Sequence, residues 1–180
     1  MHLASRLIAA AMFAAAAILP AAAADLDPQN TLYMDLSYGR VVIKLRPDLA
    51  PNHVAQVKAL VKQHYYDNTP FFRVIDGFMA QGGDPTGTGG GDSDMPNLKA
   101  EFSKTARFTR GMVGAARTDD PDSANSQFFI MFGEAPWLDG QYTIWGEVVS
   151  GMEFVDRIKR GEPPDDPDRI VKMRLAADAN

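Results

Sequence analysis

Arg73 and Gln81 stand among large apolar side chains in the run Phe71-Phe72-Arg73-Val74-Ile75-Asp76-Gly77-Phe78-Met79-Ala80-Gln81-Gly82-Gly83-Asp84. A guanidinium is costly to bury without a partner, so its place here calls for a reason. Gln127 repeats the pattern in Ser126-Gln127-Phe128-Phe129-Ile130, and Trp137-Leu138-Asp139-Gly140 follows closely. An apolar pocket holding a cation and an amide, with no acid, base or thiol beside them, suits a reaction in which no proton moves. The alternative is that Phe71, Phe78, Met79, Phe128 and Phe129 are core packing and Arg73 snorkels outward. Alternation along a strand assigns about half of such residues to an interior.

Other chemistries fit less well. His53 and His64 lie on or beside one predicted helix, eleven positions apart, and ~16 Å of helix rise separates them, too far for one metal site. Both are expected at the surface, His64 just past the helix end. There is no Gly-x-Ser-x-Gly nucleophile elbow. The glycine-rich stretch 82–94 lacks a Gly-Lys-Ser/Thr ending and leads into Asp92 and Asp94 rather than a helix. Asp119, Asp120 and Asp122 lack the spacing of a calcium loop. Cysteine is absent, which removes thiolate chemistry and disulfides. The formal net charge is −5, with no basic stripe, so nucleic acid is a poor partner. No metal or cofactor is expected.

The elements that must position Arg73 and Gln81 follow from periodicity. Arg6, the uncharged stretch Leu7 to Leu19, Pro20 and Ala22-Ala23-Ala24 together read as a secretory signal over 1–24, cut before Asp25. That leaves 25–180 as one domain without a membrane span, in a periplasmic or secreted setting. Thr31–Leu36 and Arg40–Leu45 form an opening hairpin around Ser37-Tyr38-Gly39. Pro51 starts a helix that runs to about Gln63. Strands are predicted over 71–75, 78–81, 111–116, 127–132, 142–149 and 170–176, with a second short helix over 152–158. The acidic, proline-rich run Glu162 to Asp168 reads as solvated surface. About eight strands and two helices make a mostly-β domain, a barrel or a sandwich.

The ordered motifs Phe71 to Asp84, Gly87-Thr88-Gly89-Gly90-Gly91, Ser126 to Ile130, Trp137 to Gly140 and Trp145-Gly146-Glu147-Val148-Val149 resemble a cyclophilin, a peptidyl-prolyl cis/trans isomerase, from about Thr31 to Ala176. The resemblance implies a closed eight-stranded antiparallel barrel capped by two helices. It implies isomerisation of X–Pro bonds in exported proteins, assisting their folding, with no cofactor. Arg73 matches the catalytic arginine. Phe78, Met79, Phe129 and Leu138 match the walls of the proline pocket, and Gln81 and Gln127 the orienting amides. Ala116 and Arg117 match the strand end that pairs with the bound peptide. Trp137 matches the rim tryptophan associated with cyclosporin binding.

Three departures stand out. Tyr142 replaces a common histidine, Arg117 replaces a common asparagine, and the loop Thr118 to Asn125 is one residue longer than in many members. The expected partners are proline-containing peptides and unfolded exported proteins, met by a monomer. The rival reading from another class is a non-catalytic binder of proline-containing segments that uses the same groove.

Overall fold

A computed structural model describes residues 26–179; the predicted signal at 1–24 lies outside the described residues. Strands β1 (Thr31–Leu36) and β2 (Gly39–Leu45) precede helix α1 (Pro51–Lys62). Then come β3 (Arg73–Ile75), β4 (Met79–Gly82), β5 (Met112–Ala115), β6 (Phe128–Met131) and β7 (Ile144–Ser150). Helix α2 (Met152–Val155) and β8 (Lys172–Leu175) complete the order. The eight strands form one sheet, β3-β4-β6-β5-β7-β2-β1-β8, in which neighbours are antiparallel.

Alternation and register build the core together. Leu32 pairs with Ile43 on one side and Leu175 on the other; Met34 pairs likewise with Val41 and Met173. These six side chains are essentially fully buried, and burying each contributes about 1.5–3 kcal/mol. Helix α1 covers the inner face with Val54, Val57, Leu60 and Val61.

The expected closed barrel is instead an open, curled half-barrel. Strands β3 and β8 end the order and share no ladder. Short contacts cross the gap in place of a ladder, among them Phe71 N to Asp168 O at 2.9 Å, Asn68 N to Ile170 O at 2.7 Å, and Ile170 N to Thr69 O at 2.9 Å. Proline contributes at one rung: counted from the hydrogen-bonded Val74–Gly161 pair, the next such rung would set Phe72 opposite Pro163, which has no N–H to donate.

His53 also corrects an expectation, because it is buried rather than superficial. The cause is a remote cap. Ala50 offers no side-chain cap to α1, so the first N–H groups need another acceptor. Glu101 supplies it, accepting from Asn52 N at 3.1 Å and His53 N at 3.0 Å, and its Oε2 lies 2.6 Å from His53 Nδ1. Burial alone would raise the Glu101 pKa, but the hydrogen bonds from His53 and Asn52 hold it below the usual range. Glu101 N donates to Thr143 Oγ1 at 3.0 Å, tying the helix start to the residue after Tyr142. His64 is exposed beyond the end of α1, as its position suggested.

Candidate active site

The pleat of β6 settles which aromatics pack the core and which face outward. All four of its residues are buried, yet Phe128 and Ile130 join the main core while Phe129 and Met131 enter a second cluster. That second cluster includes Met79, Phe108, Leu138 and Ile144. Phe71 belongs to the main core. Aromatic neighbours in sequence therefore divide between packing and groove by strand alternation.

Register then draws one row across four strands. Arg73 on β3 faces Gln81 on β4, Gln81 faces Phe129 on β6, and Phe129 faces Gly114 on β5. Gly114 is there because the rings need its space: a Cβ would stand 2.5 Å from Phe129 Cζ and 2.8 Å from Phe108 Cε1. The Phe108 and Phe129 rings stack with centroids 5.6 Å apart.

The polar groups form a relay. Arg73 Nη1 donates to Gln81 Oε1 at 3.3 Å, and Gln81 Nε2 to Gln127 Oε1 at 3.0 Å. Gln127 Nε2 reaches Gly89 O at 3.1 Å and Gly91 O at 3.0 Å. The glycine loop that accepts these bonds is wound around Asp84, which is fully buried. Asp84 accepts from Thr86 N and Gly89 N, both at 2.7 Å, and from Gly91 N at 3.1 Å. Burial pushes its pKa up, but the bonds from Thr86, Gly91 and Gly89 outweigh that and keep it low.

Arg73, Gln81, Phe78, Met79, Ala116, Arg117, Phe129, Leu138 and Tyr142 line one cavity of about 190 Å³. That is below the range of drug-sized sites, roughly 300–1,000 Å³, and suits a small ring. Gln127 and Trp137 lie outside this lining. Gln127 faces an adjoining cleft with Asp92 and Ser123, while Trp137 is 65% exposed and sits at the rim, 5.8 Å from the Phe78 ring.

The two unusual residues of the groove explain one another. The Arg117 guanidinium lies 4.4 Å over the Tyr142 ring and donates to Gln141 O at 2.9 Å. Tyr142 in turn sets its edge on Phe129. No described residue bonds the peptide N–H or C=O of Arg117, so its main chain is open toward the groove.

Sequence reasoning missed two contributors. Asp84 was visible only as the end of a motif, and its role needs the loop geometry. Glu162, read as solvated surface, accepts a hydrogen bond from Arg73 Nε at 2.8 Å across 89 positions of sequence.

The profile of the family described as cyclophilin type peptidyl-prolyl cis-trans isomerase/CLD matches residues 31–175. The chain belongs to that family. This cyclophilin is 49% identical over 190 residues to the probable peptidyl-prolyl cis-trans isomerase of Brucella suis, covering 95% of both chains. Among solved structures it is similar to cyclophilin AquaCyp293 of Hirschia baltica, with a TM-score of 0.78 at 30% identity, over 86% of this chain and 77% of that one. It is also similar to a cyclophilin-type isomerase of Cryptosporidium parvum crystallised in the presence of the dipeptide Ala-Pro. There the TM-score is 0.75 at 28% identity, over 83% of this chain and 99% of that one. The chain is a peptidyl-prolyl cis-trans isomerase.

Proposed function

We propose that Arg73 carries the isomerisation by donating a hydrogen bond to the prolyl nitrogen of a twisted X–Pro bond. The observation that supports this is the Arg73–Gln81–Phe129 row, which sets one cation beside a ring-sized apolar cavity. In the planar ground state the nitrogen lone pair is delocalised, and resonance gives a barrier of ~18–20 kcal/mol. Twisting localises that pair and creates an acceptor, so the interaction exists only on the way over the barrier. That is differential binding of the transition state.

Magnitudes divide the work. A 10⁵-fold acceleration needs about 7 kcal/mol, whereas a hydrogen bond to a charged group contributes about 1.5–3 kcal/mol. The rest is assigned to positioning. Phe78, Met79, Phe129 and Leu138 hold the proline ring, and Gln81 and Gln127 steady the guanidinium. The strand end at Ala116 and Arg117 meets the peptide, which pairs with the open main chain of Arg117 while Ala116 N stays on Gln127 O. Tyr142 walls the cavity, so no imidazole is required there and no proton moves.

The substrates proposed are proline-containing segments of unfolded exported proteins, met by a monomer in the periplasm or outside the cell after removal of residues 1–24. The sequence pattern before Asp25 supports that setting. Trp137, exposed beside Phe78, is proposed as the contact for cyclosporin. The deciding experiment is a protease-coupled isomerase assay on the mature chain. Arg73→Ala should lower kcat/KM by about 10²-fold or more with an unchanged melting temperature. Turnover near that of the unaltered chain would remove Arg73 from the mechanism. Retained suppression of aggregation without turnover in either form would favour the binder instead.

A further inference from the structure

Val74 exchanges both backbone hydrogen bonds with Gly161, Val74 N to Gly161 O at 2.8 Å and Gly161 N to Val74 O at 2.9 Å, an antiparallel bridge outside the main ladders. In an antiparallel pair, one step back on one strand meets one step forward on the other. That register sets Glu162 opposite Arg73, and the carboxylate takes the guanidinium Nε at 2.8 Å. The backbone therefore delivers the acid to the arginine.

The guanidinium is held at two points, Nε by Glu162 and Nη1 by Gln81. Among the described residues no side chain or backbone oxygen takes Nη2. A long arginine side chain has considerable rotamer freedom, and the Gln81 contact, at 3.3 Å, is a long one. Glu162 does not line the 190 Å³ cavity. It lines a second cleft that Arg73 also borders, with Phe72, Gly89 and Pro163.

We infer that Glu162 is a positioning residue for the isomerisation, pinning Arg73 Nε so that the remaining N–H groups face the bound imide. This rests on the reading of Arg73 given above. Both partners are about half exposed, with side-chain accessibilities of 42% for Arg73 and 53% for Glu162. Exposed ion pairs are individually weak, so the effect is several-fold rather than many orders of magnitude.

The test separates kcat from KM on an uncharged, N-acetylated prolyl tetrapeptide anilide. Glu162→Ala and Glu162→Gln should lower kcat about two- to fivefold, with KM within about twofold and melting temperatures unchanged. Glu162→Asp should restore part of the rate. The advantage of the unaltered chain over Glu162→Ala should shrink at about 1 M salt, where the screening length is near 3 Å. Arg73→Ala is measured alongside. If it is inactive while Glu162→Ala turns over like the unaltered chain, the inference fails and the arginine reading stands. If Glu162→Ala is faster, the contact is a restraint on Arg73 and the inference is wrong. If Arg73→Ala itself remains active, both readings fall.

Discussion

Replacing Gly114 by alanine should damage the active site more than the fold. The added Cβ would lie 2.5 Å from Phe129 Cζ and 2.8 Å from Phe108 Cε1, whereas carbon atoms settle at about 3.5–4.0 Å. One or both rings must therefore move by about 1 Å. Phe108 is 1% exposed and packed in the second cluster, while Phe129 borders the cavity, so Phe129 is the ring with room to yield. Overpacking of this size costs about 1–3 kcal/mol, or roughly 2–12 °C in melting temperature for a domain of this length.

The shifted ring would narrow a cavity of only about 190 Å³. A misplacement of about 1 Å at a reacting group can cost ~10²-fold in rate, so kcat/KM for a prolyl tetrapeptide should fall about 10- to 100-fold. Thermal melting and the protease-coupled assay, run on one preparation, read the two effects separately. A melting loss with activity within about twofold would show that the Phe129 wall does not define the proline site. No loss in either would refute the packing argument.

Three further measurements bear on the groove and its supports. Arg117→Ala removes the cation over Tyr142 and, at about 0.5–1 kcal/mol for an exposed pair, should raise KM about two- to fivefold with little change in kcat. An unchanged KM would mean the stack does not shape the groove. Asp84 and Glu101 both have pKa values below the ordinary range in the folded protein, so their stabilisation is present above the unfolded pKa, about 4, and is lost as pH falls through the depressed folded values. The melting temperature should accordingly drop on acidification below about pH 4, and Glu101→Gln should flatten that dependence. An identical pH profile for the variant would exclude the remote cap as a contributor.

Much of this was legible from residue order. The opening hairpin, the helix from Pro51 and the division of the aromatics between two faces follow from alternation and turn residues. The cavity gathers nine of the residues that the resemblance implied; strand register sets Arg73, Met79, Gln81 and Phe129, while Phe78, Ala116, Arg117, Leu138 and Tyr142 come from the segments between strands. What could not be read depends on contacts across long stretches of sequence. His53 looked superficial because nothing near it in the chain shows that Glu101, 48 positions away, reaches back to cap the helix. Glu162 is at the surface, as its loop composition suggested, but its pairing with Arg73 could not be read because it is set by the bridge between Gly161 and Val74. The open seam was missed for a related reason: strand count suggested closure, whereas the seam carries only isolated bridges such as Pro70–Arg169 and Val74–Gly161.

That seam bears on how the enzyme survives its own substrates. A sheet with two free edges invites extended chains to add as further strands, the first step toward aggregation. Here the outward rung of β3 is occupied, since Val74 spends both its amide and its carbonyl on Gly161. At the other margin Met173 N donates to Asp67 Oδ1 at 3.0 Å. An enzyme of proline-containing peptides thus keeps its groove open while a rung on each outer margin is already taken.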